Sequence, residues 1–235
     1  IVNDQLYVVT SDDGGHFIGV TGASASTHAD DGGAYCGTQF IDTGGDGSEA
    51  LVRQHSGGIR VEWFGVAEDG TTDATTALLT AVATGLDIRL NDNASYLISA
   101  SIHLSIYQSF IGEGFNTKII PSPTGTFTSN YAILYNSTDA STWDATFPSI
   151  PKAEIGNFFI DNVSGAATTK GIFSAGIVKI NNVRGRGLVQ TVVTSSDYSD
   201  NIEVTNIHSS SPNGTTLYMV EIGQLGDGLN VKNIF

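Results

Sequence analysis

Asp161 and Glu203, together with Glu154, Asp197, Asp200, Glu221 and Asp227, are the carboxylates of this chain placed where acid–base chemistry could operate. Cleaving a glycosidic bond takes two such groups, about 5 Å apart with retention or about 6.5 to 9.5 Å apart with inversion. Elimination would instead ask for an Arg or Lys base beside calcium-binding acids. The segment "RGR" sets Arg184 and Arg186 on either side of Gly185, a spacing that could hold an anionic sugar, although paired arginines at a turn also occur as plain surface charge. Trp143, Phe147, Tyr198 and Tyr218 have ring faces on which sugars stack. Trp143 and Phe147 lie in the irregular stretch "NSTDASTWDATFPSIP", where anchoring of a loop or contact between subunits is the competing use. Arg184, Arg186, Trp143, Tyr198, Glu203 and Asp161 are therefore the candidate carbohydrate-binding residues, and no residue is assigned to catalysis.

Other chemistries find little support. His16, His28, His55, His103 and His208 are scattered without an H-E-x-x-H pair, and Cys36 is alone, so neither a zinc site nor a disulfide framework is expected. "DDGG" occurs at residues 12–15 and 30–33 without the D-x-D-x-D-G spacing of a calcium loop, and reads as a tight turn feeding a strand. "GEG" at 112–114 lacks the third glycine and following helix of a dinucleotide site. No metal and no cofactor is expected.

Charge narrows the partners. Ten Lys and Arg against 24 Asp and Glu give a formal net charge of −14 over 235 residues, which repels phosphate backbones and anionic headgroups. Neither nucleic acid nor membrane insertion is expected, since apolar runs stop at four or five residues, against ~20 for a bilayer span. Only 14% of residues are charged, while Ser, Thr, Asn and Gly abound, a composition suited to contacting sugars through hydroxyls and amides and equally to any turn-rich β protein.

The elements that must position these residues are strands. From Leu6 to about Ile59, "LYVVT", "HFIGVTG" and "AYCGTQFI" alternate with Asp/Gly turns. Later, "FFIDNV" (158–163), "VKINNV" (178–183), "IEVTNI" (202–207) and "LNVKNI" (229–234) repeat a frame of apolar, any, apolar, any, Asn, apolar, with Asn162, Asn182, Asn206 and Asn233 spaced by 20, 24 and 27 residues. Strand-only units of 20 to 30 residues are the mark of a β-solenoid, and Asn tolerates the left-handed corner between two strands. In the unit around Asn182, "RGRGLVQTVV" is expected to form the second strand after the corner. At outward positions this frame aligns Asp161 and Thr205 with Asn181 and Lys232, and Glu203 with Lys179 and Asn230, so no two acids fall in adjacent register. A flat β-sandwich with accidental Asn spacing is the competing architecture.

One stretch breaks the pattern. "DATTALLTAVATG" (73–85) has helical spacing, with Asp73 as N-cap, Gly85 as the left-handed stop, and Ala77, Leu78, Ala81 and Val82 as a narrow apolar face. A solenoid exposes its interior at the first coil, so this helix is expected to lie across the mouth of the coil that starts near Leu86.

"VEWFGVAEDGTTDATTALL…SFIGEGFNTKI" resembles the start of the pectate-lyase-like β-helix in bacteriophage tailspikes, with Trp63, Phe64, Gly65, Asp69, Gly70, Asp73, Thr76, Ala77, Gly112 and Gly114 filling that family's pattern and Ala74 departing from it. The resemblance spans roughly residues 5–120. It implies an all-β fold: a right-handed parallel β-helix with an N-terminal capping helix, preceded by a small glycine-rich β domain. The expected divisions are 1–60 for that small domain, 61–85 for linker and helix, and 86–235 for the coils. The resemblance also implies a homotrimeric, virion-borne receptor-binding protein of the phage tail, attached to other tail or baseplate proteins and binding host cell-surface polysaccharide. Such spikes are extracellular once released, and many are depolymerases, acting as glycosidases or lyases. The alternatives are a non-enzymatic adhesin or structural virion component, and a secreted bacterial polysaccharide lyase or epimerase. The chain begins at Ile1 and stops inside a coil at "GLNVKNIF", so a longer native protein, with its groove on later coils, is expected.

Overall fold

Short alternating runs separated by Asp/Gly turns can only pair with their neighbours, and longer repeating units can stack; the chain does each in turn. The computed structural model describes residues 5–9, 15–21, 40–42, 49–55, 57–105, 107–136, 153–162, 170–175, 178–194, 202–210, 218–222 and 230–235. Strands β1 (Leu6–Val9), β2 (Gly15–Thr21), β3 (Phe40–Asp42) and β4 (Glu49–Arg53) form an antiparallel sheet in the order β1-β2-β4-β3. The Arg53 guanidinium of β4 lies between the rings of Phe17 and Trp63, 4.6 and 4.5 Å from their centroids, which ties this sheet to the segment that follows.

The remaining strands are parallel and form a solenoid of three faces. They are β5 (Ile59–Arg60), β6 (Asp69–Asp73), β7 (Ile88–Arg89), β8 (Ser95–Ala100), β9 (Ile102–Leu104), β10 (Phe110–Ile111), β11 (Lys118–Thr126), β12 (Tyr131–Asn136) and β13 (Ala153–Asp161). β14 (Lys170–Ala175), β15 (Val178–Arg186), β16 (Gln190–Thr194), β17 (Glu203–Ser210), β18 (Tyr218–Ile222) and β19 (Asn230–Ile234) complete it. The first face stacks β5, β7, β10 and the leading halves of β13, β15, β17 and β19. The second stacks β6, β8, β11 and the trailing halves of β13, β15 and β17. The third stacks β9, β12, β14, β16 and β18.

Alternation sends every second residue inward. On the first face Ile59, Ile88, Phe110, Ile155, Ile180 and Val204 lie in one register column, all without solvent exposure. Ile102, Ile133, Ile172 and Val192 do the same on the third. Phe158 of the second face meets Phe110 of the first edge-to-face at 5.9 Å. Each such side chain is worth at most about 1.5 to 3 kcal/mol of transfer free energy, so the stack supplies the driving force for coiling.

The corner asparagines require a correction. Asn157, Asn182, Asn206 and Asn233 have φ of 58, 54, 54 and 54°, the left-handed bend that Asn adopts at small cost. Asn182 Nδ2 donates to Asn157 Oδ1 at 3.0 Å, and Asn233 Nδ2 to Asn206 Oδ1 at 2.9 Å. Asn206 Nδ2 reaches Asn181 Oδ1 instead, at 2.9 Å. The first member is thus Asn157, not Asn162. Asn162 ends the next strand segment, where its Nδ2 donates to Gly187 O at 2.8 Å. The expected strand "RGRGLVQTVV" is also divided: β15 continues through the Asn182 bend to Arg186, and a second corner at Gly187, φ 65°, precedes β16.

The helix α1 (Thr75–Ala83) is shorter than the 73–85 stretch and packs against residues 61–64, β8 and β9, burying Leu78, Ala81 and Val82 while Ala77 is partly buried. Ala74 directly precedes it in right-handed conformation with no cap bond of its own. Asp73 reaches past it: its Oδ1 accepts from Thr75 N (2.9 Å) and Thr75 Oγ1 (2.5 Å), and its Oδ2 accepts from Ser99 Oγ (2.5 Å). Burial works against this carboxylate, but the bonds from Ser99 and Thr75 outweigh it and hold the Asp73 carboxyl below its ordinary value. Gly85 follows the helix with φ 72°, its N–H donating to Val82 O at 3.0 Å. Asp73→Ala is expected to cost about 1 kcal/mol at neutral pH. A depressed carboxyl stabilises above its unfolded pKa and loses that contribution as pH falls through the folded one, so the melting curves of variant and parent should converge in acid. Equal separation of the two curves at neutral and acid pH would contradict this role.

Candidate functional site

Beyond each corner asparagine the chain resumes its alternation on the second face. Phe158, Ile160, Val183, Gly185, Ile207 and Ser209 take the inward positions, and Phe159, Asp161, Arg184, Arg186, His208 and Ser210 the outward ones. Register makes two columns of the outward set. Lys118, Phe159, Arg184 and His208 follow one another on successive coils, as do Asp161, Arg186 and Ser210 beside them. Successive coils lie about 4.8 Å apart, so neighbours within a column touch.

Asp161 and Arg186 form a forked ion pair: Nε donates to Oδ1 and Nη2 to Oδ2, both at 2.5 Å. The Asp161 side chain is 3% exposed and that of Arg186 42%. Arg184 and Arg186 both approach the Phe159 ring, at 5.1 and 5.5 Å from its centroid. Arg184 is exposed and meets no carboxylate among the described residues. Gly185 between them has no room for a side chain, since a Cβ there would sit 2.5 Å from Thr191 Oγ1. Removing the side chain at that inward position lets both arginines face outward on an unbroken strand.

Arg184 and His208 open into a cleft of about 220 Å³ lined also by Phe115, Ser209, Ser210 and Phe235. The His208 imidazole lies nearly parallel to Phe235, 4.9 Å away at 17°, and edge-on to Phe115 at 5.9 Å and 75°. Phe115 is brought there by the "GEG" corner, whose Gly112 and Gly114 amides donate to Gly156 O (2.9 Å) and Asn157 O (2.8 Å); "GEG" is thus a turn between strands. The cleft offers ring faces, a guanidinium edge, an imidazole and a hydroxyl. Such a set recognises hydroxylated rings, and three of the ten cations of the chain, Lys118, Arg184 and Arg186, share this face.

Of the residues expected from the sequence, Asp161, Arg184 and Arg186 come together here. Asp161 does not align with Asn181, as the frame starting at residue 158 implied, but with Arg186; Asn181 faces Gly156 and Thr205. Glu203 lies on the first face between Lys179 and Asn230, as expected, and Lys179 Nζ is 3.4 Å from Glu154 Oε1. That column reads acid, base, acid, a solvated charge ladder apart from the cleft. Trp143, Tyr198, Cys36 and the aspartates of both "DDGG" copies lie outside the described residues. His208, Phe115 and Phe159 were not singled out by sequence; the frame of Asn182 and Asn206, which sets Arg184 opposite His208, is the signal that could have placed His208 beside Arg184.

A second polar group lies near the start of the solenoid. Tyr96 is fully buried, its hydroxyl donating to Glu68 Oε1 at 3.3 Å and accepting from Asn91 N at 2.9 Å. Burial pushes the Glu68 carboxyl up, against the hydrogen bonds from Tyr96 and Asn91. These groups saturate one another and serve to join the β6 and β8 segments.

No protein-family model matches the chain, and no curated protein does. Solved structures do. The enzymatically active domain of tailspike protein 2 from bacteriophage CBA120 superposes with a TM-score of 0.62 at 16% identity, over 89% of this chain and 33% of that one. The corresponding domain of tailspike protein 4 from the same phage gives 0.55 at 14% identity, over 93% of this chain and 31% of that one. The fold is a tailspike-like parallel β-helix. At these identities the likeness concerns fold, and the chain spans about a third of the length of these two structures. In this β-helix the outward second face carries the cleft, and the coil interior carries none of the groups that line it except Ser209.

Proposed function

We propose that this chain is part of a virion-borne tailspike that assembles as a homotrimer, docks to other tail or baseplate proteins, and attaches the particle to a host cell-surface polysaccharide. The cleft of Phe115, Arg184 and His208 on the second face carries this reading, because it joins ring faces to hydrogen-bond donors on an outward surface of a tailspike-like β-helix. Recognition is the role of these coils. The carboxylate beside the cleft, Asp161, is held by Arg186, and Glu154 and Glu203 are separated by Lys179, which favours binding over bond cleavage by these residues. Depolymerase activity, where the full-length protein has it, is assigned to other residues.

Incubation with purified capsular and O-antigen polysaccharides, followed by affinity measurement and sizing of the polymer, tests the proposal. Retention of at least one surface polysaccharide by this chain, with the polymer left intact, is expected. Failure to retain any across a broad panel rejects the receptor-binding reading, and shortened polymer rejects the assignment of these coils to binding alone. Light scattering of the full-length protein should report three copies; a clean monomer would argue against the virion reading.

A further inference from the structure

We propose that the cleft between Arg184 and His208 selects a sugar unit that bears a carboxylate, an inference that rests on the polysaccharide-binding reading above. The two arginines of "RGR" have different jobs. Arg186 is neutralised by the buried Asp161, which takes its Nε–Nη2 edge through two 2.5 Å bonds and compensates its charge. Arg184 holds its guanidinium carbon 5.1 Å from the Phe159 ring centroid and lines the cleft, with no carboxylate partner among the described residues.

The geometry beside it completes a subsite. A guanidinium held against an aromatic ring keeps its N–H groups free of a protein carboxylate, and such a group binds a carboxylate through two parallel hydrogen bonds. His208 follows Arg184 on the next coil and Ser210 stands two residues on, so an imidazole nitrogen and a hydroxyl reach the ring hydroxyls of the same unit. Phe115 supplies an apolar face for the sugar C–H groups. Lys118 precedes Phe159 in the same column and extends the positive strip toward an adjacent unit. A net charge of −14 repels a polyanion elsewhere on the surface, so affinity must come from this local strip and must weaken with salt.

Isothermal titration of the intact chain against polygalacturonate, alginate, hyaluronan and polysialate, each beside its carboxyl-reduced form, at low and high salt, tests this. The expected result is binding to at least one acidic polymer at low salt that falls about tenfold or more on carboxyl reduction and on Arg184→Ala, the loss of a charge-assisted fork. Arg184→Lys should be intermediate, because an ammonium cannot make two parallel bonds, and Lys179→Ala on the first face should leave binding unchanged. Melting temperatures of the variants within the parent's range separate loss of the site from loss of the fold, and Arg184→Gln replaces Arg184→Ala if the latter unfolds. Acid and reduced polymers bound equally, or acid binding indifferent to Arg184→Ala, would overturn the inference. Binding to neutral polymers alone would overturn it while leaving the polysaccharide-binding reading intact; binding to no polymer of either kind overturns both.

Discussion

Arg186→Met should destabilise the protein by about 3 kcal/mol, more than its position on an outward face would suggest. The cost falls on the partner. Asp161 is 2% exposed as a residue, and both of its oxygens are engaged by Arg186. Removing the guanidinium leaves a carboxylate in a site nearly closed to water, whereas Arg186 itself is 42% exposed on its side chain and rehydrates readily when Asp161 is lost. The expected order of cost is therefore Arg186→Met above Asp161→Leu. The double variant Arg186→Met with Asp161→Leu should recover most of the loss, because two apolar groups replace an ion pair whose desolvation offsets much of its attraction. Urea unfolding of the four proteins measures this directly. A single-variant loss under about 0.5 kcal/mol would mean that Asp161 finds water or another donor, and no coupling in the cycle would mean that the pair does not act as a unit.

The second large effect is expected at Gly156. A Cβ at this position would lie 1.8 Å from Asn181 O, 2.9 Å from Asn181 C and 3.2 Å from Asn181 N, all of them backbone of the next coil. Neither side can yield locally. Gly156 O already accepts from Gly112 N at 2.9 Å on the preceding coil, and Asn181 is paired with Thr205 on the following one. Gly156→Ala must separate β13 from β15 or distort the Asn157 corner, breaking parallel bonds on two faces. A loss above about 3 kcal/mol is expected, or a fall of about 10 °C in melting temperature for a chain of this size. Gly85→Ala is the informative control: its φ is 72° but nothing lies within 4 Å of an added Cβ, so only the backbone strain of about 1 kcal/mol applies. Equal losses at the two glycines would show that coil spacing, contrary to this account, is free to adjust.

How much of the site was legible follows from the same geometry. "RGR" was visible as a possible anion site, but its two arginines are identical in sequence and differ only in what the preceding coil sets beside them: Phe159 under Arg184, Asp161 beside Arg186. His208 gave no signal of its own among five scattered histidines, because its partners Phe115 and Arg184 lie 93 and 24 positions away in the chain and are joined only by coiling. Glu203, by contrast, was placed correctly between Lys179 and Asn230, since the units from Asn182 onward keep their frame without insertions at the corner.

The sequence by itself determined the solenoid, the inward alternation, the asparagine corners and the presence of an α-helix within residues 73–85. Each of these is local: period two along a strand, period 3.6 in "TTALLTAVA", and the tolerance of Asn for positive φ are properties of a few consecutive residues. Only the tertiary structure decided the register of the first unit. The frame of apolar, any, apolar, any, Asn, apolar occurs twice there, as "AEIGNF" ending at Phe158 and as "FFIDNV" starting from it, because strand alternation resumes beyond the corner, shifted by one residue. Contacts between coils choose the former: only glycine, at position 156, fits beneath the Asn181 carbonyl, and Asn157 then receives the Asn182 amide. That five-residue difference moves Asp161 from Asn181 to Arg186, leaves Arg184 facing the cleft, and thereby creates the site.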